Sequence, residues 1–355
     1  MKVKTATVLF LLTCTFSTLQ AQLEAIKLTA TKGNETGLTY ILPNTAIQID
    51  ILSTKTTRKA GQFYQYAEKY LGVKDVVTKD DVVWTLDKIN AWGRGQADKS
   101  NAYLLPLRPN DNPFIYLTPD GLLASINVEP DLSLLATSNL QPEAKEKVKN
   151  IDPLSVMTEE FMLASSTAKM AEVAAKQIYR IRESRMNIMM GEVDNMPKDG
   201  EALKIIMNQL DEQEKVLTEM FTGKLEKEQT IQSYTFMPQG STSNYVVCRF
   251  SKHLGLVDKD DLSGVPVFFS IKDITDESLF EISGKDKVKK GVIYQIPGDA
   301  AINITFSGKT VFEAEMKVAQ FGTTAFLPTS GFENKKNPQK ALFYPDLGSV
   351  KEIFQ

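Results

Sequence analysis

Histidine and cysteine, the side chains that most often carry proton transfer near neutral pH or hold a transition metal, are scarce in this chain. His253 is the single imidazole, and Cys14 and Cys248 are the two thiols. A histidine-rich zinc site is excluded, and no Cys-x-x-Cys is present. A Ser-His-Asp arrangement would have to use His253, within Ser251-Lys252-His253-Leu254-Gly255, yet no Gly-x-Ser-x-Gly accompanies it. It reads as a surface-loop histidine. Gly308-Lys309-Thr310 imitates the end of a phosphate-binding loop, but Asn303 stands where the first glycine is required. Ser166-Thr167-Ala168-Lys169 spells the Ser-x-x-Lys of penicillin-interacting enzymes without a Lys-Thr-Gly, and Ser166 has a simpler use as a helix cap. Asp258-Lys259-Asp260-Asp261 lacks the closing Glu of a calcium loop. Acidic pairs such as Glu159-Glu160 leave one enzymatic route, a glycosidase-like hydrolase that works with carboxylates alone once the fold sets two of them at the required separation. No catalytic, cofactor-binding or metal-ligating residue is assigned, and no cofactor is expected.

Arg180, Arg182 and Arg185 are the candidate contact for an anion or a partner, because a guanidinium group binds carboxylate or phosphate through two parallel hydrogen bonds. The competing reading is a solvated helix face pairing with acidic residues of a neighbouring helix. Cys248 lies in the apolar run Tyr245-Val246-Val247-Cys248-Arg249-Phe250 and reads as a small buried hydrophobe.

The elements that must position these residues begin after an export signal. Lys2 and Lys4 precede a short apolar stretch, and Leu19-Gln20-Ala21 offers a small residue before a cut, so residues 1–21 read as a signal peptide cleaved between Ala21 and Gln22. A rival reading takes Leu11-Leu12-Thr13-Cys14 as a lipobox, which would make Cys14 a lipidated N-terminus. No stretch of the mature chain is long and apolar enough to span a bilayer.

Two segments share the pattern G-x-x-Y-x-(apolar)-P-x-x-A. They are Gly37-Leu38-Thr39-Tyr40-Ile41-Leu42-Pro43-Asn44-Thr45-Ala46 and Gly291-Val292-Ile293-Tyr294-Gln295-Ile296-Pro297-Gly298-Asp299-Ala300. Alternating apolar residues follow each, Ile47, Ile49, Ile51 and Ile302, Ile304, Phe306. Two Pro-Asp turns, at 119–121 and 345–348, lie between apolar strands and read as hairpins. These matches make the two ends of the chain read as copies of one β module. Asp131 to Pro153 reads as a linker. Between the modules, Ser166 and Gly191 bracket one helical run, and Asp199 and Gly223 bracket a second.

The expected fold class is α+β: two β-rich, sandwich-like modules with a long antiparallel helical hairpin between them. The expected boundaries are 1–21 signal peptide, 22–150 N-terminal module, 151–230 linker and hairpin, and 231–355 C-terminal module. With 41 Lys+Arg against 44 Asp+Glu, the slightly negative balance and the export signal disfavour nucleic acid as a partner.

The order of parts resembles the uncharacterised exported envelope proteins of domain of unknown function family 4831. The residues that carry the resemblance are Gly37 to Pro43, Ala175 to Arg185, Asp199 to Leu203, Leu217 to Gly223, Gln320-Phe321-Gly322 and Leu327-Pro328. The resemblance implies an envelope protein of unassigned activity and transfers no catalytic residue. The expectation is an exported protein of the periplasm or cell envelope, leaning towards a non-enzymatic binding or assembly module. Its partner would be an envelope protein or a polysaccharide. A carboxylate-only hydrolase and a lipoprotein anchored through Cys14 are the alternatives.

Overall fold

The computed structural model describes residues 26–28, 37–106, 113–130, 133, 135–142, 153–192, 200–278, 291–334 and 336–355. The expected signal peptide, with Cys14, Ala21 and Gln22, lies outside them, as does the cap expected at Asp199.

Three antiparallel sheets dominate. The first has the order β1 (Ile26–Lys27), β3 (Asp81–Pro106), β2 (Gly37–Lys59), β6 (Lys224–Phe236). The second has the order β11 (Lys309–Leu327), β10 (Val292–Phe306), β9 (Val265–Asp273), β7 (Thr242–Ser251), β8 (Gly255–Val257). The third has the order β13 (Ser349–Phe354), β12 (Lys340–Tyr344), β5 (Leu123–Ile126), β4 (Ile115–Leu117). The helices are α1 (Ala67–Leu71), α2 (Glu159–Met162), α3 (Thr167–Met190) and α4 (Gly200–Thr222).

The alternation of β2 explains its place. Ile47, Ile49 and Ile51 fall on one side of a strand with period two, and all three are completely buried. They meet Ala300, Ile302 and Ile304 of β10, with Phe269 of β9 and Cys248 of β7, so the first and second sheets enclose one shared core. A second core joins Tyr40, Leu42 and Tyr103 to Leu123 and Ile126 of β5, to Val292 and Ile293 of β10, and to Ala341 and Phe343 of β12. A third gathers Phe63 and Ala67 with Phe161, Ile178, Leu217 and Phe221 under α3 and α4.

This arrangement overturns the expected α+β pair of modules with a helical hairpin between them. The third sheet is made jointly by the two ends of the chain, because Ala341 and Leu342 pair with Ile126 and Ser125. The first sheet recruits β6 from beyond the helices, across from β2. The helices therefore do not stand as a hairpin between two bodies; their buried side chains close the third core against residues 63–67. The physical reason is burial. Each Pro-Asp hairpin alone is a two-stranded ribbon, too small to be stable in water, and the two stabilise each other by sharing an edge.

The segments around the two prolines behave alike. A proline has no N–H to give to a ladder. Between Ile41 and Pro43 the partner of β2 jumps from Ala102 to Ala97, and between Ile296 and Gly298 the partner of β10 jumps from Thr323 to Val318. At each break the opposite strand bulges out. The bulge of β11 clasps the first sheet: the Gln320 amide accepts from Thr45 N–H at 2.8 Å and donates to Thr45 C=O at 3.0 Å, while Ala319 N–H donates to the Thr45 hydroxyl at 2.9 Å. Gly322 permits this, since a Cβ there would lie 1.8 Å from the Ile296 carbonyl oxygen.

Candidate functional site

The arginine candidates lie on α3. This helix starts where the Ser166 hydroxyl accepts from Lys169 N–H, and it stops at Gly191, whose φ of 76° suits a residue without Cβ. Arg182 Nε donates to Glu214 of α4 at 2.6 Å. Arg185 bridges Asp211 at 2.5 Å and Glu214 at 2.8 Å. Arg182 also lies over the Tyr179 ring. Two of the three guanidinium groups are thus turned to the neighbouring helix, and Arg180 is exposed. The trio does not converge on one point where an anion would sit.

Beyond this ion-pair cluster the two helices give little to the third core, Leu210 of α4 being half-buried against it. From Arg182 to Met190 on α3, and from Gly200 to Val216 on α4, no residue is fully buried. Met186, Met189, Met190 and Ile205 are all more than half exposed there. Exposed apolar side chains that are adjacent on a helix end mark a surface with something to bury, and methionine adapts its shape to varied partners.

A pocket of about 460 Å³ opens where the end of β2, the start of β3, the loop after α1 and the C-terminus of α4 meet. Its charged lining is Arg58, Lys79, Asp75 and Asp81. Two cations against two carboxylates give it no net preference for an anion.

The other residues singled out in the sequence have structural uses. Cys248 is fully buried, and burial pushes its thiol up to about 11 despite a hydrogen bond with Tyr234. His253 is exposed in the turn between β7 and β8. Ser307 and Gly308 have φ of 50° and 74° and form the tight turn between β10 and β11, so Lys309 and Thr310 begin a strand. Asp258 and Asp261 accept from Asp260 N–H and Ser263 N–H within their own loop. Glu159 and Glu160 are exposed in the first turn of α2. Among the described residues no group of three or more His, Cys, Asp or Glu is placed to hold a metal ion. No described helix is long and apolar enough to cross a membrane.

A family model described as Domain of unknown function (DUF4831) matches residues 36–351. The chain belongs to the DUF4831 family. The match runs from the residue before β2 into β13, so the family unit takes in the helices and the strands of all three sheets other than the short β1. Among curated proteins and among solved structures, none matches. Several residues that carried the resemblance to DUF4831 prove to be fastenings: Tyr40 in the second core, Arg182 and Arg185 between the helices, and Gln320 and Gly322 between the sheets.

Sequence reasoning missed two buried carboxylates, Asp50 and Asp346. Asp50 accepts from Trp92 Nε1 at 2.7 Å and from the Ser138 and Ser233 hydroxyls, both at 2.5 Å. Burial pushes its carboxyl up, but the three hydrogen bonds outweigh that and leave it below the ordinary carboxylate range. Asp346 accepts from Gly95 N–H at 2.6 Å and Ala136 N–H at 2.7 Å. Asp50 carried a signal, an acid set inside the alternating Ile47–Ile51 strand. Asp346 looked like an ordinary turn residue.

Proposed function

We propose that this DUF4831 protein is an exported cell-envelope protein that works as a non-enzymatic binding or assembly module. The reading rests first on the signal-peptide pattern of residues 1–21. The single observation that carries the binding role is the free end of the helix pair, where Met186, Met189, Met190 and Ile205 are exposed beyond the ion pairs that hold α3 to α4. A pair of helices with apolar side chains left open is a surface for another envelope macromolecule, and Arg180 adds an exposed cation on the same helix.

Two measurements test the two halves of the reading. Mass spectrometry of the processed N-terminus should find Gln22; a lipidated Cys14 would replace free export with an anchor, and an uncleaved Met1 would remove export altogether. Cross-linking in intact cells should capture a defined partner that is lost in the Met186→Glu/Met190→Glu double variant. Unchanged capture by that variant would dismiss the helix end as the contact. Turnover of envelope oligosaccharides by the purified chain would move the protein to the carboxylate-only hydrolases.

A further inference from the structure

The stretch expected to be a linker is fastened down in its described part. Ile49 and Ile51 point into the core between the first and second sheets, so Asp50 points out of the opposite face of β2. Ser233 sits directly across from it on β6, and Trp92 lies on the diagonal on β3, opposite Gln48. Over this group runs the segment Ala136–Leu140. The Ser138 hydroxyl donates to Asp50, and two residues earlier Ala136 N–H donates to Asp346, in the turn between β12 and β13. The two catches come from opposite ends of the sequence. Gly95 lets the Asp346 turn come close, since a Cβ there would lie 2.4 Å from the Asp346 Cα.

Among the described residues the rest of the segment is lightly packed, with Leu135 and Ser138 half-buried. Ala136, Thr137 and Asn139 are exposed, and Leu140 is the buried apolar residue of the described stretch 135–142. Both carboxylates receive neutral donors, the indole and hydroxyl groups at Asp50 and backbone N–H groups at Asp346; neither takes part in an ion pair among the described residues. A segment with few apolar contacts and a few localised polar fastenings opens at a free energy well below that of global unfolding.

We propose that Ala136–Leu140 is a releasable strap, held across the first sheet by Asp50 and Asp346, whose opening bares Asp50 and uncovers the half-buried Trp92 beside the already exposed Ser233, while the strands beneath stay folded. The bared seat is a carboxylate beside an indole and a hydroxyl. What competes for it carries a hydroxyl or amide N–H donor, as Ser138 does.

Hydrogen exchange on the full chain tests this, read on peptides covering 135–142 and, as a reference, on peptides from β10 and β11. An Asp346→Asn side chain cannot accept from both Gly95 N–H and Ala136 N–H, because one of them then faces its NH2 group. Exchange over 135–142 should quicken about tenfold, the factor expected for loss of a hydrogen bond to a charged acceptor, with the reference peptides unchanged. Ser138→Ala removes a single hydroxyl from a half-buried position and should quicken the same peptides in the same sense, which keeps the test valid if Asp346→Asn folds poorly. Unchanged exchange over 135–142 in Ser138→Ala, or strap and reference peptides quickening in step, would overturn the proposal.

Discussion

Tyr40 shows how much a single hydroxyl holds in place here. Its oxygen donates to Ile293 C=O at 3.1 Å and accepts from Ile293 N–H at 2.8 Å, with the ring 1% exposed in the second core. Burial raises its phenol well above the ordinary value, so it stays neutral and can play both parts. Tyr40→Phe leaves two buried backbone groups without that partner, and the expected loss is about 1–3 kcal/mol, read as a lower urea midpoint with an unchanged slope. Asp50 gives a pH-dependent prediction. Its folded carboxyl lies below its unfolded value. The stability it contributes is therefore complete above the unfolded value of about 3.9 and is lost as pH falls through the lower, folded one. Asp50→Asn should cost roughly 2 kcal/mol at neutral pH. The gap between variant and wild type should close on acidification below about pH 4. A gap that stays constant with pH would mean the carboxylate is not what the three donors hold.

Among elements, the two longest helices make the most specific demand. Glu214 is the hub, accepting from Arg182 and pairing with Arg185, and its side chain is 13% exposed while the arginines are 40% and 30% exposed. Because solvent screens the arginine side, Glu214→Gln should cost only about 0.5–1 kcal/mol, and the difference should shrink further in molar salt. A salt-independent loss would point to packing instead. The helix ends were legible because a serine cap and a left-handed glycine are local chemistry at Ser166 and Gly191. The breaks at Pro43 and Pro297 have an equally local cause, since a proline cannot extend a ladder wherever it sits. Strand partners were not. Nothing in Phe114–Ile126 says that its free edge will be taken by Ala341 and Leu342 rather than by a copy of itself, because edge pairing is backbone chemistry that any extended segment offers. The strap was illegible for a related reason: its polar, proline-flanked composition is that of a linker, and what fixes it are two carboxylates on remote elements. The helix-end surface was half legible. The arginines were visible in the sequence, but their partners on α4 decide that two of them are not free to bind.

On the scale of the whole molecule, the sheets tie the two ends of the chain together. Phe343 of β12 and Ile126 of β5 are each 0% exposed in the same core, and Ile51 and Ile304 share another. Residues 22–150 produced alone would leave both of these cores open on one side, as would residues 231–355 alone. Each fragment should lack cooperative thermal unfolding and bind a hydrophobic dye, and mixing the two should restore little unless residues 151–230 supply α3, α4 and the first half of β6. Either fragment melting cooperatively by itself would show a self-sufficient module.

The bond between Tyr40 and Ile293 spans 253 residues, and this has a consequence in time. Contacts so remote in sequence form slowly, and during synthesis they cannot form at all until the far partner exists. At roughly 5–20 residues per second, the ribosome needs on the order of ten seconds to a minute to make the stretch from β2 to β10. For most of that interval the isoleucine-rich strand Gly37–Lys59 has β3 beside it but no complete second sheet to cover its apolar face. Such a ribbon is prone to aggregate. The strands of the second sheet, made in the last third of the chain, therefore decide when that face is covered.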